Sequence, residues 1–201
     1  MRVTYEDVKR SEEIRTYITQ ADASLIALGF TEHSFAHVTR CAEVAGDLLE
    51  ELGYDEHQIE LCKIAAYMHD IGKVNIPREI LIASEKLSDE EWAMIRNHPT
   101  AGRNIISKIE GMEIIGHIIE QHHERHDGKG YPCGLSGAEI HPLASILSLA
   151  DSFDAMTNDR PYKKKKSIEE ALQEIERCKG AQFSPEYTDL FVQTIRDAVD
   201  E

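Results

Sequence analysis

Apolar residues recur at helical spacing through almost the whole chain, and no stretch alternates apolar and polar positions in the manner of a half-buried strand. The pattern predicts an all-α fold. Residues 5 to 28 read as one amphipathic helix ending at Gly29, and a second runs from about Ser34, a natural N-cap, to Leu52 ahead of Gly53. From about Glu56 to His69, the residues Ile59, Leu61, Ile64, Ala65 and Met68 share one face, and this helix stops at Asp70, before Gly72 and Pro77. Ser88 and Glu91 spell a capping box for a helix through about Asn97, and Pro99 suits the first turn of the next. Residues 112 to 123 form another helix. Pro142 opens an apolar one reaching about Met156, Ser167 with Glu170 caps a further one, and Ser184-Pro185 starts the last. From Glu124 to Pro142 inclusive, four glycines and two prolines break the periodicity, which predicts a long ordered loop. Trp92, Met94 and Ile95 are expected in the core.

The chain has 201 residues, 41% hydrophobic and 29% charged, enough for one sizeable core in a single compact unit. A formal net charge of −15 argues against adhesion to duplex nucleic acid or anionic membrane, because both need a basic face. An anionic substrate would require local cations. Cys41, Cys62, Cys133 and Cys178 show neither paired metal spacing nor a disulfide framework. No apolar signal segment opens the chain, and no apolar run approaches the roughly 20 residues of a membrane span. A cytoplasmic setting is expected.

Candidate chemistry lies in the histidines and aspartates. His37, the His69-Asp70 pair, His98, the His122-His123 pair and Asp151 each fall within or at the end of a helical stretch, so a helical fold can converge them on one pocket. The dipeptide alone is weak evidence, since His126-Asp127 is a second His-Asp pair. What distinguishes His69-Asp70 is its place at the end of an apolar helix with Gly72 and Lys73 following: the glycine would let the chain turn while Lys73 points back. A carboxylate there can bridge two cations with its two oxygens. An imidazole and carboxylate set without thiolate favours Mn, Fe or Zn over a sulfur-rich structural zinc site. Asp151 sits in an otherwise apolar helix, where a carboxylate needs a charged partner or a metal. His57, His117 and His141 have no such context and are read as surface or packing residues, and the run Lys163 to Lys166 as a solvated approach to a helix.

At these residues the chain resembles the HD-GYP subgroup of the HD phosphohydrolase superfamily, over roughly residues 31 to 195. The stretch HHERHDGKGYP, from His122 to Pro132, carries most of the resemblance. HDIGK (His69 to Lys73) with Ile76-Pro77, LSDEEW (Leu87 to Trp92), Asn97-His98-Pro99 with Gly102, and LADSFDAMTNDRPY (Leu149 to Tyr162) add to it. The resemblance implies a helical bundle around two or three divalent metal ions, Fe or Mn before Zn or Ni, and hydrolysis of cyclic di-GMP to the linear dinucleotide, with onward cleavage to GMP as the alternative end point. It puts metal ligands at His37, His69, Asp70, His98, His122, His123 and Asp151, with Asp70 bridging. His33, four residues before His37, falls where three-metal members carry a Glu, which marks it as a ligand for a third ion; a solvent-facing histidine at the helix start is the competing reading. Lys73, Arg160 and Lys163 would hold phosphates, and Tyr131 would stack on a base or line the pocket mouth.

The expected organisation is an N-terminal helix over residues 1 to 30 and an HD-GYP domain over 31 to 201. Ser145 stands where the pattern has arginine, Ala83-Ser84 where it has Lys-Pro, and Phe183-Ser184-Pro185 where it has Phe-Asp-Pro. These changes bear on the substrate groove rather than the ligands. Two other functions fit the same residues: a cyclic-dinucleotide-binding signalling module with little turnover, and a phosphohydrolase acting on another nucleotide. With no sensory domain in the sequence, regulation is expected from a protein partner, a homodimer, the N-terminal helix or expression.

Overall fold

The computed structural model describes residues 3–26, 33–81, 83, 86–158 and 164–200, with the side chains of 20–26, 33, 34 and 200 outside that description. Eleven α-helices and two short 3₁₀ helices account for the regular structure among the described residues, with no strand beyond two isolated bridges.

The amphipathic run near the N-terminus is two helices rather than one. Thr4 caps α1 (Tyr5–Arg10) in a reciprocal box with Asp7. Ser11 then turns to an extended conformation, and its hydroxyl accepts from the Ile14 amide at 3.3 Å to start α2 (Glu12–Ile26). Both helices join the common core. The Tyr5 amide donates to the Glu60 carboxylate, the Tyr5 ring meets Tyr67 edge-on at 5.8 Å, and Val8 and Ile18 are buried.

Helix α3 (His33–Glu51) begins one residue before Ser34, and Val38, Cys41, Ala42, Ala45, Leu48 and Leu49 form its buried stripe. At its end Gly53 takes φ 73°, a left-handed conformation suited to glycine, and the chain turns into α4 (Glu56–Met68). Asp55 and Gln58 form an N-terminal box for α4. The last turns of α4 are buried on nearly every side, because α3, α8 (Glu113–Gln121) and α9 (Pro142–Thr157) all pack against it. That central position brings the end of α4 into the middle of the molecule.

A 3₁₀ turn (Ile71–Asn75) and the short α5 (Arg78–Leu81) follow, and α2 packs over both. Helix α6 (Asp89–Arg96) starts with the Ser88–Glu91 box and passes through Asn97 directly into α7 (His98–Ile106). Trp92 and Met94 are exposed, contrary to expectation. No residue of α6 is buried, because this short acidic helix makes its contacts through the α7 junction, and the Arg96 guanidinium covers the Trp92 ring at 5.7 Å from its centre. Helices α10 (Ile168–Arg177) and α11 (Pro185–Asp200) pack on α9.

Candidate metal centre

Helix ends deliver the imidazoles. His69 caps the C-terminus of α4, His122 that of α8, and His98 follows the last turn of α6. The final carbonyls of a helix have no amide partner within it, and each of these rings uses one three residues back. His69 Nδ1 lies 2.7 Å from the Ala66 carbonyl, His98 Nδ1 2.8 Å from Ile95, and His122 Nδ1 2.6 Å from Ile119. A carbonyl oxygen only accepts, so Nδ1 carries the hydrogen in all three. The Nε2 lone pairs are therefore turned inward, and those of His98 and His122 are buried with no hydrogen-bond partner.

The carboxylates face these lone pairs. Asp70 Oδ1 is 3.5 Å from His98 Nε2, and Asp70 Oδ2 is 3.6 Å from His69 Nε2. Asp151 Oδ1 lies 3.4 Å from His37 Nε2 and 3.8 Å from His69 Nε2. The result is two adjoining donor groups, His37 with His69 and Asp70, and His98 with His122 and His123. Asp70 offers one oxygen to each side.

Neighbouring charges and burial set the ionisation. Burial holds His98 down at about 3 and His123 at about 4, and drives His122 well below its ordinary value, helped by His123 and His69. Burial opposes the Asp70 charge, yet Lys73, then His69 and His98, keep its pKa well below the carboxylate range. Asp151 is likewise lowered against burial, first by the His37 hydrogen bond. Burial disfavours charge on His37, but Asp151 and Asp154 overcome it and raise this imidazole well above 6.5.

A pH dependence follows for metal-free protein. His98, His122 and His123 stay neutral when folded and bind protons near pH 6.5 when unfolded, so the unfolded state binds more protons as pH falls from about 6.5 towards 4. Stability drops through that window. His37 works in the opposite sense, and the stability that Asp70 and Asp151 contribute above their unfolded value of 3.8 is lost only as pH falls below it. With His141, which burial also lowers, four histidines against one predict a melting temperature that falls on acidification from pH 7 to 4.5. A constant or rising melting temperature of chelator-treated protein across that range would contradict this reading.

Lys73 points back to the centre, its Nζ 2.6 Å from Asp70 Oδ2. The glycine before it has a different use from the one expected. A Cβ on Gly72 would lie 2.0 Å from the His98 carbonyl oxygen and 2.6 Å from the Gly102 amide nitrogen, so Gly72 lets two backbones touch and sets His98 beside Asp70.

The irregular segment after α8 folds back over the centre. The Tyr131 amide donates to the His123 carbonyl at 3.2 Å, and the two rings lie 4.9 Å apart. Gly130 packs on the Glu124 and Arg125 backbone at distances that leave no room for a Cβ. Ser145, in place of the expected arginine, lines a small cavity with Glu124, His126, Ser148 and Gln182. Arg160, Lys163 and the His33 side chain lie outside the described residues. His57 and His117 are exposed, and His141 caps α9 by accepting from the Leu143 amide.

Asp154, Arg40 and Glu124 escaped the sequence reading. Asp154 has a sequence signal, standing three residues after Asp151 and so on the same face of α9. Glu124 directly follows the His122-His123 pair.

Residues 24–187 match a family model described as an HD domain. A cyclic di-GMP phosphodiesterase of Thermotoga maritima is 39% identical over 166 residues, which are 82% of this chain and 45% of that protein. The 3'3'-cGAMP-specific phosphodiesterase 1 of Vibrio cholerae is 35% identical over 142 residues, 71% of this chain and 33% of that protein. The chain thus spans less than half the length of these curated relatives. A crystal structure of a cyclic GMP-AMP-specific phosphodiesterase from V. cholerae superposes with a TM-score of 0.68 at 20% identity, covering 90% of this chain and 48% of the other, a likeness of fold.

Proposed function

The chain belongs to the HD-domain family, and we propose that it is a metal-dependent phosphodiesterase opening cyclic di-GMP to the linear dinucleotide. HD phosphohydrolases bind divalent metals. The observation that carries the reading is the facing of acceptors: the neutral His98 Nε2 lone pair and Asp70 Oδ1 stand 3.5 Å apart, and such a pair repels unless a cation lies between. We assign His37, His69 and Asp151 to one ion and His98, His122 and His123 to the other, with Asp70 shared. The donor set favours Fe or Mn, with Zn or Ni as alternatives. His33, at the first position of α3, is proposed for a third ion. Bound divalent ions would polarise the phosphodiester and supply a hydroxide near neutral pH.

The chain's own residues would bind and orient the substrate. Lys73, paired with Asp70, can exchange that contact for a phosphate oxygen, and Arg160 and Lys163 would add positive charge against a net −15. Tyr131, braced on His123, offers a ring face or a hydroxyl at the edge of the pocket. Relatives named for cyclic di-GMP and for 3'3'-cGAMP support the substrate class, and the motifs favour the former.

The test is to reconstitute the protein with Mn²⁺ or Fe²⁺, incubate it with cyclic di-GMP, 3'3'-cGAMP and cyclic di-AMP, and follow products by chromatography. Linear dinucleotide from cyclic di-GMP is expected first. Full metal loading with binding but no product would sink the enzyme reading in favour of a binding module. Lys73→Ala should raise KM about tenfold, the scale of one charge-assisted contact, without lowering metal content. Loss of metal in that variant would reverse the role given to Lys73.

A further inference from the structure

Main-chain carbonyls fix three of the site imidazoles, and His37 has none to use. It lies in the second turn of α3, where the carbonyls belong to the helix's own hydrogen-bond ladder. Its Nδ1 meets a carboxylate instead, Asp154 Oδ2 at 2.6 Å. Asp154 is 5% exposed and stands one turn beyond Asp151 on α9, so the two carboxylates address the two nitrogens of one ring. Asp154 is held in turn: Arg40 donates to it from Nε at 2.5 Å and Nη2 at 3.2 Å, and Asn158 from Nδ2 at 2.9 Å. Arg40 follows His37 by three residues on α3. A His37–Arg40 pair on one helix therefore grips an Asp151–Asp154 pair on the other.

We infer that Asp154, locked by Arg40, is a positioning residue for His37. It takes the Nδ1 hydrogen, leaves Nε2 to the cation site and fixes the plane of the ring. The carboxylate also strengthens the imidazole as a donor, as an outer carboxylate does for a ligating histidine. This rests on the metal reading above.

A rival reading makes His37, Cys41 and Asp154 a cation site of their own, since their donor atoms lie close together, with Cys41 Sγ 3.6 Å from His37 Nδ1. The guanidinium argues against it. Arg40 already neutralises Asp154, and a second cation in that space would face a fixed positive charge.

The two halves of the centre should then respond differently. Metal-free protein titrated with Mn²⁺ and followed by calorimetry is expected to show the affinity of one ion weakened 10–100-fold by Asp154→Ala, with the other little changed. Asp154→Asn should lose less, because its amide oxygen still accepts from Nδ1, and Arg40→Gln should fall between that variant and wild type. Affinities within twofold of wild type in a helical Asp154→Ala protein would overturn the inference. So would an equal weakening of both ions, which is the mark of a general structural role. If Asp154→Ala does not fold, Asp154→Leu, which keeps the bulk and has no acceptor for Nδ1, carries the test by the same criterion. Wild-type protein that takes up no Mn²⁺ would overturn the metal reading, and this inference with it, a result distinct from a variant that binds like wild type.

Discussion

Asp70→Ala is expected to lose most of its bound metal and at least about a thousandfold of turnover while the chain stays helical. Asp70 is the residue whose two oxygens face opposite halves of the centre, 3.6 Å from His69 Nε2 and 3.5 Å from His98 Nε2. Without it, each half is left with imidazoles whose lone pairs converge and no shared anion to hold two cations close together. The fold depends on it far less. Asp70 stands between α4 and the following 3₁₀ turn, makes no capping hydrogen bond with its side chain, and its partner Lys73 is 33% exposed and can turn to water. Metal analysis, single-turnover assays and circular dichroism on the same preparation separate these effects. A helical Asp70→Ala protein with wild-type metal content and turnover would remove the basis for the proposed centre.

Local chemistry explains which parts of this architecture were legible. The Ser88–Glu91 and Ser167–Glu170 boxes, the proline starts of α9 and α11 and the apolar face of α4 are written in neighbouring residues, and the helices lie where those signals put them. The apolar period runs through Ser11 and hides the break there. The signal was present in Ser11 followed by Glu12 and Glu13, an N-cap with an acidic first turn. Trp92 reads as core from its size and helical setting, whereas burial depends on what packs over that helix. The convergence of His37, His69, Asp70, His98, His122, His123 and Asp151 was expected from motif resemblance. The tautomers come from where the helices stop, and the Asp154–His37 contact from the packing of α9 on α3, which no local pattern encodes.

The second large effect is expected at Glu124. Its buried carboxylate gathers three consecutive amides of the returning chain, accepting from Cys133 at 2.6 Å and Gly134 at 3.1 Å through Oε1, and from Leu135 at 3.0 Å through Oε2. This clasp closes the segment that sets Tyr131 against His123. Glu124→Gln keeps the shape and removes one acceptor oxygen, so an amide NH₂ must face at least one backbone N–H. A buried donor without a partner costs about 1–3 kcal/mol, and the lost ionic character weakens the remaining hydrogen bonds, giving a loss of about 2–4 kcal/mol in the local stability of the segment. Hydrogen exchange should report it directly, with the amides of Cys133, Gly134 and Leu135 exchanging faster while those of α4 and α9 hold. Metal uptake should persist, since none of the proposed ligands touches Glu124 through its carboxylate. The proposed role of Tyr131 predicts a KM for the cyclic dinucleotide higher by about tenfold, the equivalent of about 1.4 kcal/mol of binding. Unchanged exchange at the three amides would show that the carboxylate charge is not what closes the segment. Faster exchange with an unchanged KM would separate the clasp from substrate binding and withdraw Tyr131 from the pocket wall.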